Sequence, residues 1–179
     1  MTRLLLAAPL ILAACVGTPS FDDPPLSDAD FELQEFFDGE LVAYGQFQDV
    51  FGKVRRRFEV EITGTWDGET LRLVEDFVYE DGSTERRVWT LEQTGPESWR
   101  GTAPGVIGEA VGEEDGDRFN WRYTIDLPIP TADGPTEILR VTFDDWIWLL
   151  TDDRAFNRAY MSRAGLPIGD VSITFEKRR

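Results

Sequence analysis

The chain has 179 residues, a net charge of -16, no histidine and one cysteine. Without histidine, the commonest transition-metal ligand and general base is missing, and so are Ser-His-Asp and Cys-His nucleophilic centres. The single cysteine excludes an internal disulfide, and the acidic balance disfavours nucleic acid and anionic headgroups as partners.

At the N-terminus Arg3 precedes an apolar run from Leu4 to Ala13, broken by Pro9, that ends in Leu12-Ala13-Ala14-Cys15. A run of about ten residues is half of the roughly twenty needed to cross a bilayer as a helix. Small residues before a cysteine used nowhere else read as a lipobox, so residues 1–14 are expected to be an export signal and Cys15 the lipidated first residue of the mature protein. Two or three acyl chains, each buried methylene adding about 0.8 kcal/mol, would hold such a protein firmly. Val16 stands where an aspartate would signal inner-membrane retention, which points to the periplasmic face of the outer membrane. The mature chain from Cys15 onward is long enough for one domain with its own core.

Residues 15–30 are rich in Gly, Pro, Ser and Asp, with Pro19, Pro24 and Pro25 keeping the chain extended. They read as a flexible tether reaching about 40 Å at about 3.1 Å per residue. Ser27 to Asp30 resembles a helix start, and Phe31, Leu33, Phe36 and Phe37 follow before Asp38-Gly39 stops it.

From there a train of short strands is punctuated by turn signals. Expected strands run over residues 41–48, 55–66, 71–79, 85–93, 98–103, 106–112, 119–127, 137–143, 146–150 and 171–177. Turns are expected at Asp67-Gly68, Asp81-Gly82, Gly95-Pro96, Glu114 to Asp117, and Thr131 to Pro135. Residues 152–165 carry both a helical spacing and an alternation; strand is favoured, because a closed sheet needs one there. An antiparallel meander of this size closes to remove its edges. The fold class is therefore all-β: a lipocalin-like barrel over residues 31–179 with a short N-terminal helix, expected to be monomeric.

Candidate site residues come from the third and fourth strands and from the aromatic stretch near residue 121. A loop of Asp81-Gly82-Ser83 sets Phe77 opposite Arg87 and Glu75 opposite Trp89, whereas a two-residue loop sets Asp76 opposite Arg87. In both registers an acid and an arginine share a face, either as a solvated ion pair or as the polar end of a pocket. Arg87-Val88-Trp89 and Trp121-Arg122-Tyr123 each embed an arginine among rings, so Trp89, Trp121 and Tyr123 are candidate pocket walls and Arg87 or Arg122 a candidate polar contact. Arg122 points away from its ring neighbours in a regular strand, which favours Arg87. Neither Glu75-Asp76 nor Asp144-Asp145 can be a hydrolytic dyad, because strand neighbours face opposite ways. Gly64-Thr65-Trp66 matches a short lipocalin G-x-W pattern, but it closes a strand instead of opening the barrel. No cofactor or metal motif is present: Glu113 to Asp117 lacks the alternating ligands of a calcium loop.

Several stretches taken together resemble a known family. They are Phe36-Phe37-Asp38-Gly39, Gly45-Gln46-Phe47-Gln48-Asp49, Trp66-Asp67-Gly68, Glu75-Asp76-Phe77 with Asp81-Gly82, Arg86-Arg87-Val88-Trp89, Asn120-Trp121-Arg122-Tyr123, Asp144-Asp145-Trp146, and Asn157-Arg158 with Met161-Ser162. The resemblance is to proteobacterial envelope lipoproteins grouped as a domain of unknown function (3833), lipocalin- or calycin-like. It implies a fold and an address, and no catalytic residues. Two functions follow as expectations. One is a non-enzymatic, lipid-anchored periplasmic protein that binds a small lipid-like or amphiphilic ligand in its barrel. The other is an envelope interaction protein with a filled barrel. Interior volume separates them.

Overall fold

The computed structural model describes residues 17–129 and 137–178. The export signal and Cys15 lie outside the described residues, as does the expected turn from Thr131 to Pro135. Among the described residues, a helix, α1 (Leu33–Phe37), is followed by ten strands: β1 (Gly39–Asp49), β2 (Val54–Trp66), β3 (Thr70–Tyr79), β4 (Thr84–Gly95), β5 (Ser98–Thr102), β6 (Ala110–Asp115), β7 (Arg118–Ile129), β8 (Glu137–Thr151), β9 (Arg154–Arg163) and β10 (Leu166–Lys177). Each strand pairs antiparallel with its sequence neighbour, and β10 returns to β1 to close the barrel. The seam runs from Leu41 opposite Lys177 to Asp49 opposite Gly169. The all-β class, the closure and the single short helix agree with the sequence reading.

Alternation positions the interior. On β2 the side chains of Phe58, Val60 and Ile62 point in while Arg57, Glu59 and Glu61 point to solvent. On β9 the inward set is Ala155, Asn157, Ala159 and Met161, so residues 154–163 form a strand with no helical turn. Charged outward and apolar inward is the reverse of a membrane-spanning barrel. No described helix is long and apolar enough to cross a membrane.

The helix closes one end. Leu33, Phe36 and Phe37 are buried there with Phe31, and Phe37 meets Phe175 edge-on at 5.4 Å while Phe31 stacks on Phe119 at 6.2 Å. Gly64 lets the helix sit this close: a β-carbon at that position would collide with the Phe37 carbonyl oxygen. The Gly64-Thr65-Trp66 stretch therefore has a structural role, with Trp66 against Trp99 at 5.8 Å. Glu114 accepts the free Leu33 N–H at 2.7 Å. Burial raises its carboxyl to about 6 against the opposing pull of that amide.

Three local expectations are corrected. Glu114 and Asp115 belong to β6 and only Gly116-Asp117 turn, because Glu114 is needed at the helix end. Residues 137–143 and 146–150 are one continuous strand; Asp144-Asp145 causes no break, since Asn120 and Asn157 hydrogen-bond the two carboxylates from the neighbouring strands. The β3–β4 loop is Glu80-Asp81-Gly82, with Gly82 at a φ of 80 degrees and the Tyr79 N–H donating to the Ser83 carbonyl at 2.9 Å. Gly82 thus takes the left-handed position that ends a three-residue hairpin loop. The loop begins one residue earlier than expected, and the register moves with it.

The stretch read from composition as a tether is held to the barrel from Ser20 onward. Asp117, fully buried, accepts the Leu26 and Ser27 N–H groups at 2.7 and 2.9 Å. Arg118 donates to the Ser20 and Asp23 carbonyls, and Ser27 donates to the Leu149 carbonyl at 2.9 Å. Phe21 covers Trp146 on the outer wall at 4.9 Å. This strap lies at the end of the barrel that α1 closes.

Candidate functional site

Inside the barrel is a cavity of about 360 Å3, within the range of small-molecule sites and far above a packing void. Its base is Leu33 and Phe37 of α1, and its far rim includes Phe47, Arg56, Tyr79 and Leu139. Going up β2, the inward side chains grow more exposed: Val60 is buried, while Phe58 and Arg56 are half-buried. That end is the mouth.

The walls are mostly apolar because the strands contribute an apolar residue at nearly every inward position. The exceptions make the site. On β3 the inward series is Leu71, Leu73, Glu75, Phe77, Tyr79; on β4 it is Glu85, Arg87, Trp89, Leu91; on β8 it is Val141, Phe143, Asp145, Ile147. Glu75 sits directly opposite Arg87 in the sheet, and Leu73 opposite Trp89. Trp89 meets Trp121 at 5.7 Å and Tyr123 at 5.1 Å, both edge-on, and Tyr123 stacks on Phe143 at 4.9 Å. These rings surround the charged groups at mid-depth.

Two polar layers can be distinguished. Near the mouth the groups satisfy one another. Arg87 donates to Glu85 at 2.8 Å, Tyr79 donates its hydroxyl to the other Glu85 oxygen at 2.8 Å, and Arg56 lies over the Tyr79 ring at 3.4 Å while donating to the Ser83 hydroxyl. Arg87 holds Glu85 below the usual carboxylate range despite its partial burial. Deeper in, the groups are under-satisfied. Among the described residues Asp145 receives one side-chain hydrogen bond, from the Asn157 amide, which also donates to the Trp146 carbonyl at 2.9 Å. Glu75 has neither a hydrogen bond nor an ion pair within contact distance among the described residues, only the field of Arg87.

The electrostatics follow from that geometry. Burial raises Glu75 to about 7; the Arg87 charge opposes the rise, and the carboxylates of Asp145 and Glu85 add to it. Burial likewise raises Asp145 to about 7, against the Asn157 bond. Burial lowers the proton affinity of Arg87, but the charges of Glu75, Tyr123 and Glu85 and the Glu85 hydrogen bond together outweigh it, and the guanidinium is held more firmly protonated than usual. The Tyr123 hydroxyl is raised first by burial and then by Asp145. At neutral pH the middle of the cavity thus holds two carboxyls near their midpoint, the Arg87 cation and the neutral Tyr123 phenol.

Of the residues singled out from sequence, Glu75, Arg87, Trp89, Trp121 and Tyr123 converge on the cavity. Asp76 and Arg122 do not. Asp76 lies on the outer face of β3 in a two-point pair with Arg86 at 2.6 and 2.7 Å, and Arg122 is exposed on the outer face of β7. Both follow from the period of two: inward neighbours force them outward. Trp99 belongs to the closed end, and Trp146 and Trp148 stack on the outer wall at 6.3 Å. The sequence reading missed Asp145, Glu85, Tyr79, Arg56 and Asn157 as cavity groups. The usable signal was a polar residue breaking an apolar series at every second position, as Asp145 does between Phe143 and Ile147.

A family model described as a protein of unknown function, DUF3833, matches residues 9–177. No curated protein matches the chain. Among solved structures, the S-type phycobiliprotein lyase CPES from Guillardia theta is similar with a TM-score of 0.58 and 12% identity, over 82% of this chain and 90% of that one. A de novo designed fluorescence-activating β-barrel gives a TM-score of 0.43 and 11% identity over 83% of this chain and 99% of the design. The design EF1p2_mFAP2b, solved bound to DFHBI, gives 0.41 and 8% over 80% and 95%. At such identities the likeness to the lyase is one of fold.

Proposed function

Starting from a chain that belongs to the DUF3833 family of proteins of unknown function, we propose that it is a lipid-anchored envelope protein that holds a small amphiphile in its barrel. The observation that carries this reading is the cavity of about 360 Å3, apolar at the walls and polar at mid-depth. An apolar body would lie against Trp89, Trp121 and Phe143, and a polar group would meet the charged layer. A cavity of this size argues against the filled-barrel alternative. In this reading the protein carries its guest and does not transform it. Cys15 is the proposed acylation site and the periplasmic face of the outer membrane the proposed address, both resting on Leu12-Ala13-Ala14-Cys15 and Val16.

The test is native mass spectrometry of the protein isolated from its own cell envelope, followed by solvent extraction. A discrete adduct that denaturation releases, beside a diacylated or triacylated N-terminal peptide, is the expected result. If no adduct is found, and a panel of single-chain amphiphiles of differing head charge leaves tryptophan emission and melting temperature unchanged, the binding reading fails.

A further inference from the structure

The two arginines that reach the cavity are both engaged before any guest arrives. Arg87 is bonded to Glu85, and Arg56 is spread over Tyr79 and bonded to Ser83. The charged side chains lining the cavity, among the described residues, are Glu75, Glu85 and Asp145 against Arg56 and Arg87. Carboxyl groups thus outnumber guanidinium groups by one, and the carboxyls with the fewest hydrogen bonds are the deep ones. Glu75 points into the enclosed space from β3 with no bonded partner among the described residues. Asp145 points in from β8 with one bond, from Asn157. The Tyr123 hydroxyl from β7 stands in the field of both.

This arrangement has a definite chemical preference. A carboxylate or phosphate head would add an anion beside Glu75, Glu85 and Asp145, and at Arg87 it would compete with Glu85, which already accepts from that guanidinium, and with Glu75, which faces it across the sheet. A head that donates hydrogen bonds, above all one carrying a proton on nitrogen, would give Glu75 the partner it lacks and offset the cost of enclosing it.

We propose that the head group this cavity selects is a basic or N–H-donating nitrogen, seated at the Glu75 and Asp145 carboxyls, with the apolar body against Trp89, Trp121 and Phe143. The inference rests on the amphiphile-binding reading and narrows it: the guest is a cationic or N–H-bearing amphiphile, and free fatty acids and phosphate-headed lipids are poor guests.

The probes are dodecylamine, dodecanol and dodecanoate, which share one chain and differ in head charge. Each is titrated below its micelle concentration into the full-length chain carrying Cys15→Ser, so that no acyl group competes, with tryptophan emission and calorimetry as readouts. The amine is expected to bind about tenfold tighter than the alcohol, and the carboxylate weaker than either. Glu75→Gln is expected to remove about tenfold of the amine's affinity and to leave the alcohol's unchanged. Asp145→Asn, a second variant of unchanged shape, is expected to act in the same direction, with melting temperature confirming that each variant folds. Dodecanoate binding as tightly as dodecylamine, or a Glu75→Gln variant that binds the amine as well as the parent does, overturns the head-group assignment while leaving the amphiphile reading intact. If none of the three probes binds, the amphiphile reading itself fails, and the head-group assignment fails with it.

Discussion

A carboxylate that lines a largely apolar cavity with no hydrogen-bond partner costs stability, and Glu75, half-buried there, is such a group. Its proton affinity is raised to about 7, so the folded state holds the proton more tightly than the unfolded chain does. The stabilising effect of that proton is complete below the ordinary glutamate range and is lost as pH rises through about 7. Glu75→Gln should therefore leave stability unchanged near about pH 5 and raise it near about pH 8 by on the order of 1–3 kcal/mol, after allowing for water in the cavity. Urea denaturation of the empty protein at the two pH values measures this. Destabilisation at the higher pH would instead mean that the attraction between Glu75 and Arg87 exceeds the cost of enclosure. A site residue whose neutralisation stabilises the empty protein is a residue kept for binding.

At the scale of elements, the strap and the hairpins show what could be read in advance. Asp81-Gly82 correctly announced the β3–β4 hairpin, because Gly82 supplies the positive φ that the loop requires. Loop length is not encoded so plainly, and an error of one residue gave Glu75 the wrong partner across the sheet. The reading with the three-residue loop still placed Glu75 and Arg87 on one face; it missed that they are directly opposed. Asp144-Asp145 looked like a break because aspartate is depleted in strands, and only side-chain amides brought from β7 and β9 make it tolerable. Such long-range satisfaction leaves no local mark. For the same reason the composition of residues 15–30 suggested a free tether, while Asp117 and Arg118, far along the chain, fasten its second half. Asp117→Ala would orphan the Leu26 and Ser27 amides and should cost about 2–4 kcal/mol. Limited proteolysis should then cut within residues 20–27, where the parent resists, and Trp146 emission should shift to the red as Phe21 leaves it.

For the whole molecule, two sets of acids act in opposite directions. Asp67, Asp76 and Asp126 sit below the usual range, through backbone amides at Asp67 and through arginines at Asp76 and Asp126. What they contribute is present above the unfolded value and is lost as pH falls through their lowered folded values. Glu75, Asp145 and Glu114 are raised, to about 7, 7 and 6, and what they contribute is lost as pH rises through those values. Self-repulsion of a chain with a net charge of -16 has the same sign as the raised set, because it eases on acidification. The empty protein should accordingly be most stable near about pH 5, with stability falling on both sides. A series of denaturation curves from acid to mildly alkaline pH checks the position of the maximum. The Glu75→Gln and Asp145→Asn variants should flatten its alkaline side and leave its acid side in place.

The strap also sets a leash. With Cys15 held in a bilayer, as proposed, about five residues would lie between the lipid and Ser20, and a chain of that length spans at most about 18 Å. Its fastening on Asp117, Arg118 and Leu149 is at the end that α1 plugs, so under that proposal the plugged end would be the one nearer the lipid. The mouth lies a strand's length further out. A guest would then be received from the aqueous side of the envelope, handed over by whatever meets the rim, and not drawn up directly from the leaflet in which the protein is moored.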